Sequence, residues 1–441
     1  MWRDIGPYGN KDVITPHLDA FAKEGMSFDN MFTTTAMCAP TRQQILTGLY
    51  PVRSGAYPNH SWVRDGVKSV GHYFKEMGYE VALIGKQHYG PDESYPIHYL
   101  GGRQHDDGKN GADIDLDKIK SIVNSDQPFF LIIAQNQPHT PWNRGDASQY
   151  NADKLEVGEY MVDAHETRER LTRYYAEITY MDSLFGKTVK HLKDAGKKEN
   201  TITMFTSEQG FSFPFGKWTN YDLGLKTGFI ARWPGKIEAN TRNNAMVQYV
   251  DILPTLIDAV GGDASGYDTG ISDAYGYRGF DGNSFMQALL DGKDDYRNYV
   301  YGAQTTRGIF WGSATYPVRS VRSDSFKYIR NLSADSSFYN TVVVRDDIID
   351  AWKVHAENEE QRQWVERYKN RPAEELYDIV NDPYELHNLA ANPKFDKVKE
   401  ELRIKLENWM KQQGDEGVKT ELEALEHMSP GHENWKPYHG H

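Results

Sequence analysis

Cysteine is almost absent from this chain: 441 residues hold one, at position 38. A single thiol closes no internal disulfide, so the fold does not lean on oxidation, and cysteine usage carries no compartment signal. No apolar run reaches the roughly 18 residues that a membrane-spanning helix needs, so no membrane span is expected. Positive charge is in deficit as well. Fifty Lys and Arg stand against 63 Asp and Glu, for a net charge of −13, without the basic stripe that a nucleic-acid binder would show. An anionic ligand stays open, because a few placed cations decide the charge of a pocket. The start, Met1-Trp2-Arg3-Asp4, is neither a signal peptide nor a transit peptide, and it does not read as the first strand of a domain. What is present is the composition of a globular protein, 39% hydrophobic and 26% charged. Aromatics at 13% suit stacking on sugar rings and core packing equally.

Four short apolar runs read as buried parallel strands that end in polar residues. Tyr79–Gly85 runs into Lys86-Gln87-His88, and Pro128–Ala134 into Gln137-Pro138-His139. Thr201–Thr206 runs into Ser207-Glu208-Gln209-Gly210, and Gly228–Trp233 ends at Pro234-Gly235. Helical patterns cover Thr15–Glu24, Pro40–Thr47, Val67–Met77, Thr167–Asp194 and Asp251–Val260. Alternating strands and helices imply an α/β fold, a mixed and mostly parallel sheet sandwiched by helices. Ligands in such sheets sit beyond the carboxyl ends of the strands, where three of these runs deliver Lys, His or Glu. Residues 1–300 are therefore read as a catalytic α/β domain. Residues 301–441 are read as a small C-terminal α+β subdomain, with antiparallel strands in Tyr316–Asn331 and an amphipathic helix over Phe395–Gln413.

Cys38-Ala39-Pro40-Thr41-Arg42 is the sharpest local signal. Pro40 suits the first turn of a helix, which puts Cys38 at a helix N-terminus, where free N–H groups and the dipole favour an anion. A lone Cys before a helix is ordinarily structural, and a lone His or Lys ordinarily has no catalytic role. Cys38-x-Pro40-x-Arg42 followed by Leu46-Thr47-Gly48 resembles, however, the signature of the type I sulfatases of the alkaline phosphatase superfamily. Asp12–Asn30, Gly85-Lys86-Gln87-His88, Pro138-His139-Thr140-Pro141, Leu171–Asp182 and Tyr377-Asp378 with Asp382-Pro383-Tyr384-Glu385 match further family segments in family order.

The resemblance implies an alkaline-phosphatase-like fold and hydrolysis of a sulfated carbohydrate, as ester or N-sulfate. It implies that Cys38 becomes formylglycine (3-oxoalanine) through a formylglycine-generating or anaerobic sulfatase-maturating enzyme. A divalent cation, Ca²⁺, would be held by residue 38, Glu208 and Gln209. His139 and Lys217 would bind sulfate and assist the departing alcohol, His88 would take the proton that releases sulfate, and Arg42 and Lys86 would hold charge. Ser207-Glu208-Gln209-Gly210 is similar to bacterial polysaccharide sulfatases and sulfamidase-like enzymes. Two departures stand out. Glu208-Gln209 occupies the place of the family's Asp-Asn or Asp-His, one methylene longer on each side chain. The family's opening strand, which ends in two acidic ligands, is not represented before Met1, as if an internal Met served as the start, so a gap in the sheet is expected. A periplasmic or extracellular location of the full-length protein is implied by resemblance only. A phosphonate or phosphodiester hydrolase of the same superfamily, and an inactive glycan-binding homologue, are the alternatives.

Overall fold

A computed structural model of the chain describes residues 2–102, 114–345 and 347–438. Its N-terminal part contains β1 (Met26–Phe32), β2 (Glu80–Gly85), β3 (His98–Tyr99), β4 (Phe129–Ala134), β5 (Thr203–Thr206), β6 (Lys226–Arg232) and β7 (Thr241–Gln248). β2 lies parallel between β3 and β4, and the register runs from Glu80 opposite Phe129 to Gly85 opposite Ala134. A second group is ordered β5-β6-β1-β7, with β1 parallel to β7 and β6 antiparallel to both β1 and β5. The sheet is mixed, as expected, but the Gly228–Trp233 run is not parallel. The chain returns from β5 to β6 through residues 207–225, where the only helix is Asp222–Leu225, so an antiparallel return replaces a helical crossover. β7 was not legible as a strand, because its first half, Thr241-Arg242-Asn243-Asn244, is polar.

Both strand groups carry the same two helix layers. Phe129, Leu131 and Ile133 of β4 face Leu184 and Leu192 of helix His165–Asp194, while Phe130 and Ile132 turn to Phe74, Leu253 and Ile257 on the other side. β6 alternates in the same way, with Ile230 in the cluster of Phe21, Ile178 and Phe185, and Phe229 and Ala231 in the cluster of Ile252 and Phe285. Period-two side chains that are apolar on both faces are what a sheet covered twice requires.

The two groups therefore share one layer, yet β4 and β5 do not pair with each other. Between them lies a cavity of about 780 Å³, lined by residues 126–139 on one side and 200–212 on the other. Met181, Phe185 and Leu192 close it from one helix layer, and Ile252, Leu256 and Val260 from the other. It leaves the wholly apolar Phe129–Ile133 only half-buried.

From Val300 onward a second sheet forms from β8 (Val300–Gln304), β9 (Val318–Arg322), β10 (Phe326–Asn331) and β11 (Glu374–Asp378), all antiparallel, in the order β11-β10-β9-β8. Helix Asp396–Gln413 covers it with Leu402, Leu406 and Trp409 against Val321, Tyr328 and Leu376. This sheet is stitched to the segment before Cys38 by the Ala303 N–H donating to the Thr34 carbonyl (2.8 Å) and the Thr35 hydroxyl to the Ala303 carbonyl (2.7 Å). No described helix is long and apolar enough to cross a membrane.

Candidate active site

Helix Cys38–Thr47 starts at Cys38 itself, two residues earlier than expected, with extended Met37 as its cap and Pro40 in its first turn. Cys38 is buried at that N-terminus, and Arg42 follows one turn later on the same side of the helix. β2 delivers Lys86 and His88. Gly85, at φ +99°, makes the turn, because a Cβ there would fall 2.2 Å from the Ala134 carbonyl oxygen. β4 is followed by His139, and β5 by Glu208 and Gln209. Lys217 comes from the return between β5 and β6, held by its own N–H on the Phe211 carbonyl (2.8 Å) and the Trp218 N–H on Ala36 (3.0 Å). Phe215 and Trp218 both take positive φ, 64° and 67°, around it.

These segments meet at Cys38. Lys217 Nζ lies 2.8 Å from His139 Nε2, and His139 Nδ1–H donates to the Thr140 carbonyl at 2.7 Å. That second bond fixes the tautomer, so Nε2 accepts from the Lys217 ammonium. Burial, reinforced by the Lys217 charge, pushes His139 down to about 3, which keeps it neutral at physiological pH. Burial alone would raise the Cys38 thiol. Lys217 and Lys86, with the His139 and His88 imidazoles, outweigh it and hold the thiol well below its ordinary range. Burial lowers His88, whose Nε2 meets His60 Nδ1 at 3.0 Å while Nδ1 is buried without a hydrogen-bond partner.

Arg42 Nε pairs with Glu208 Oε1 at 2.8 Å, and Arg42 Nη1 donates to the Lys86 carbonyl at 3.2 Å. Gln209 Nε2 points at Cys38 Sγ (3.8 Å), and Gln209 Oε1 is buried without a partner. The structure thus places all eight candidate residues around one point. Three cations converge there, against one carboxylate. Such a site stabilises an anion that arrives from outside and gains negative charge during reaction. Sequence reasoning missed His60, which lies in Tyr57-Pro58-Asn59-His60 with no pattern to single it out, and His432, which lies near the C-terminus.

A family model described as Sulfatase matches residues 1–262. The chain belongs to the sulfatase family. An ulvan-active sulfatase of Formosa agariphila is 35% identical over 93% of this chain and 78% of its own length. The human N-sulphoglucosamine sulphohydrolase is 27% identical over 92% of this chain and 87% of its own. Among solved structures, a putative sulfatase from Bacteroides fragilis superposes with a TM-score of 0.71 at 20% identity, covering 95% of this chain and 94% of that one. The sulfatase is thus a sulfuric ester hydrolase of the alkaline-phosphatase-like α/β fold.

Proposed function

We propose that this sulfatase cleaves sulfate, as ester or N-sulfate, from a sulfated polysaccharide or one of its fragments, with residue 38 as the nucleophile. The observation that carries this is the convergence of Lys86, Lys217 and the His139–Lys217 pair on Cys38 at a helix N-terminus. The similarity to ulvan-active and N-sulphoglucosamine enzymes supports the substrate class. Conversion of Cys38 to formylglycine by a maturating enzyme supplies a hydrated aldehyde, whose two hydroxyls serve attack and exit. Lys86 and Lys217 neutralise the sulfate as it binds. The Lys217 ammonium carries the proton for the departing oxygen, because neutral His139 has none to spare at Nε2. His139 aims that ammonium. His88 takes a proton at its unpartnered Nδ1, and Arg42 anchors Glu208 and the Lys86 backbone. A periplasmic or extracellular setting fits such a substrate.

Calcium is the expected cation, and the donors do not yet make a site for it. Ca²⁺ takes about six to eight oxygens. Here Glu208 and Gln209 supply one carboxylate and one amide oxygen, and Glu208 is already paired to Arg42. No group of three His, Cys, Asp or Glu suited to a metal occurs among the described residues. The cavity between β4 and β5 opens onto Glu208 and Gln209, so an extended strand seated in it, with carboxylates at its end, would complete the set. Calcium titration read by melting temperature, with and without such a strand, tests this. Strong binding without it would show that Glu208 and Gln209 suffice.

The mass of the Cys38 peptide tests the nucleophile. Coexpression with a maturating enzyme should convert the thiol to an aldehyde. Parallel turnover of an aryl sulfate and an aryl phosphodiester tests the reaction class, and preference for the diester would overturn the reading.

A further inference from the structure

His88 is not held by its own strand alone. Its φ is +52°, in the left-handed region that costs a non-glycine residue, and His60, the residue against its ring, has φ +59°. Strain at two facing histidines marks an arrangement that the surrounding packing enforces. Their rings meet at 3.0 Å, from His88 Nε2 to His60 Nδ1, and the centroids are 4.8 Å apart. His60 is 8% exposed. Its other ring face stacks on His432 at 4.5 Å with 5° between planes, and Phe310 meets it edge-on at 5.8 Å.

The backbone around His60 is clamped by the same tail that carries His432. The Trp62 N–H donates to the His427 carbonyl (2.9 Å), the Ser429 N–H to the His60 carbonyl (2.8 Å), and Ser61 bridges Met428. Ser429 Oγ lies 3.1 Å from His432 Nδ1, fixing that ring in turn. Further along, Trp435 Nε1 donates to the Ile309 carbonyl (2.7 Å) and the Tyr438 N–H to Gly312 (3.0 Å), which closes the tail over the loop that bears Phe310.

We propose that His60 is a positioning residue for His88, held in place by the C-terminal tail through His432. An imidazole that takes a proton at Nδ1 must carry its hydrogen at Nε2 beforehand. His60 Nδ1 faces that Nε2, accepts its hydrogen, and so selects the tautomer that leaves the buried, unpartnered Nδ1 without a hydrogen. Once His88 is protonated, the same bond becomes charge-assisted. This rests on the reading of His88 as the group that releases sulfate from residue 38.

The test uses the matured full chain with His60→Ala, His60→Asn, His432→Ala and His88→Ala, each first shown to melt like wild type. In His60→Ala, kcat for a sulfate ester should fall about 10- to 100-fold, the usual cost of losing a group that orients a reacting side chain, with KM unchanged. Sulfated enzyme should accumulate by mass spectrometry, as in His88→Ala. His60→Asn keeps a polar acceptor near the δ position and should recover most of the rate. His432→Ala should show a smaller loss of the same kind. Nitrogen-15 imidazole NMR should report the Nε2–H tautomer of His88 in wild type and a mixture in His60→Ala, whether or not the enzyme turns over. Accumulation in His88→Ala with wild-type rates in His60→Ala would overturn the inference alone. Absence of sulfated enzyme in His88→Ala would overturn the role of His88 beneath it. An unchanged His88 tautomer in His60→Ala would overturn the positioning role on structural grounds.

Discussion

Two buried groups of charges flank the return from β5 to β6, and they are built to opposite rules. At its far end Lys327 Nζ sits between Asp222 Oδ1 (2.7 Å) and Glu385 Oε1 (2.9 Å), while Arg322 Nε takes Asp222 Oδ2 at 3.0 Å and the Asp222 N–H donates to Glu385 Oε2 at 2.6 Å. Two cations pair directly with two carboxylates. Burial tends to raise both acids. The Lys327 and Arg322 charges override that at Asp222 and lower it, whereas Glu385, beside the Asp222 carboxylate, stays raised. At the near end, Lys86, Lys217 and Arg42 gather round Cys38 with Glu208 as their carboxylate. The first group is satisfied within the protein and joins the second sheet to the loop that bears Lys217. The second is left short of negative charge, which the proposed anionic substrate would supply. On the proposed function, matched buried charge marks architecture in this sulfatase, and unmatched buried charge marks chemistry.

The largest effect is expected of Cys38→Ala, which should abolish sulfate-ester turnover while the melting temperature stays within a degree or two, because the role proposed for the buried thiol is in chemistry rather than packing. A large loss of stability would place Cys38 with the structural group. Next come His88→Ala and His139→Ala, each expected to cost about 10²- to 10⁴-fold in rate. Sulfated enzyme should build up in the first. In the second, the loss should grow with the basicity of the leaving alcohol, since Lys217 is no longer aimed. Identical behaviour of the two would merge their roles. Lys327→Met is the mirror experiment. It leaves two buried carboxylates facing each other and should cost about 3 to 5 kcal/mol in denaturant unfolding, while kcat of the folded enzyme changes little. A selective collapse of kcat would mean that the satisfied cluster also serves chemistry.

The smallest effect is in pH. His139 is lowered in the folded state, so below its unfolded value near 6.5 the unfolded chain gains a proton that the folded chain refuses. Its contribution is intact above about pH 6.5 and is lost progressively as pH falls toward 3. At pH 5 this amounts to about 2 kcal/mol. Melting scans from pH 7.5 to 5 should show the decline, and His139→Asn should flatten it. An equal slope in that variant would assign the acid sensitivity elsewhere, with His427, lowered to about 4 by burial and Arg64, as the first alternative.

Much of the site was legible because its signals are local. Cys38, Pro40 and Arg42 lie within one helical turn, and each of the other candidates follows a strand or the turn after it. The second sheet was legible through Tyr316–Asn331, which holds the antiparallel pair β9 and β10. His60 and His432 were not, since two residues near opposite ends of a chain carry no mutual spacing until the fold stacks them. The reversed direction of β6 was hidden for a related reason, since an apolar run reads the same in either orientation.

By itself, then, the sequence determined roughly where most helices and strands lie, and which strands are covered twice. Capping, side-chain alternation and the Gly85 turn act over a few residues and need no partner. Only the tertiary structure decided what each charge means. Lys217 and Lys327 are both buried lysines, 3% and 1% exposed, and apart from the family resemblance that singles out Lys217, composition and periodicity around them do not tell them apart. One is brought within 2.7 to 2.9 Å of two carboxylates and the other within 2.8 Å of a neutral imidazole. Electrostatic energy depends on distance through space and on burial, so it is set only when residues far apart in the chain are packed together.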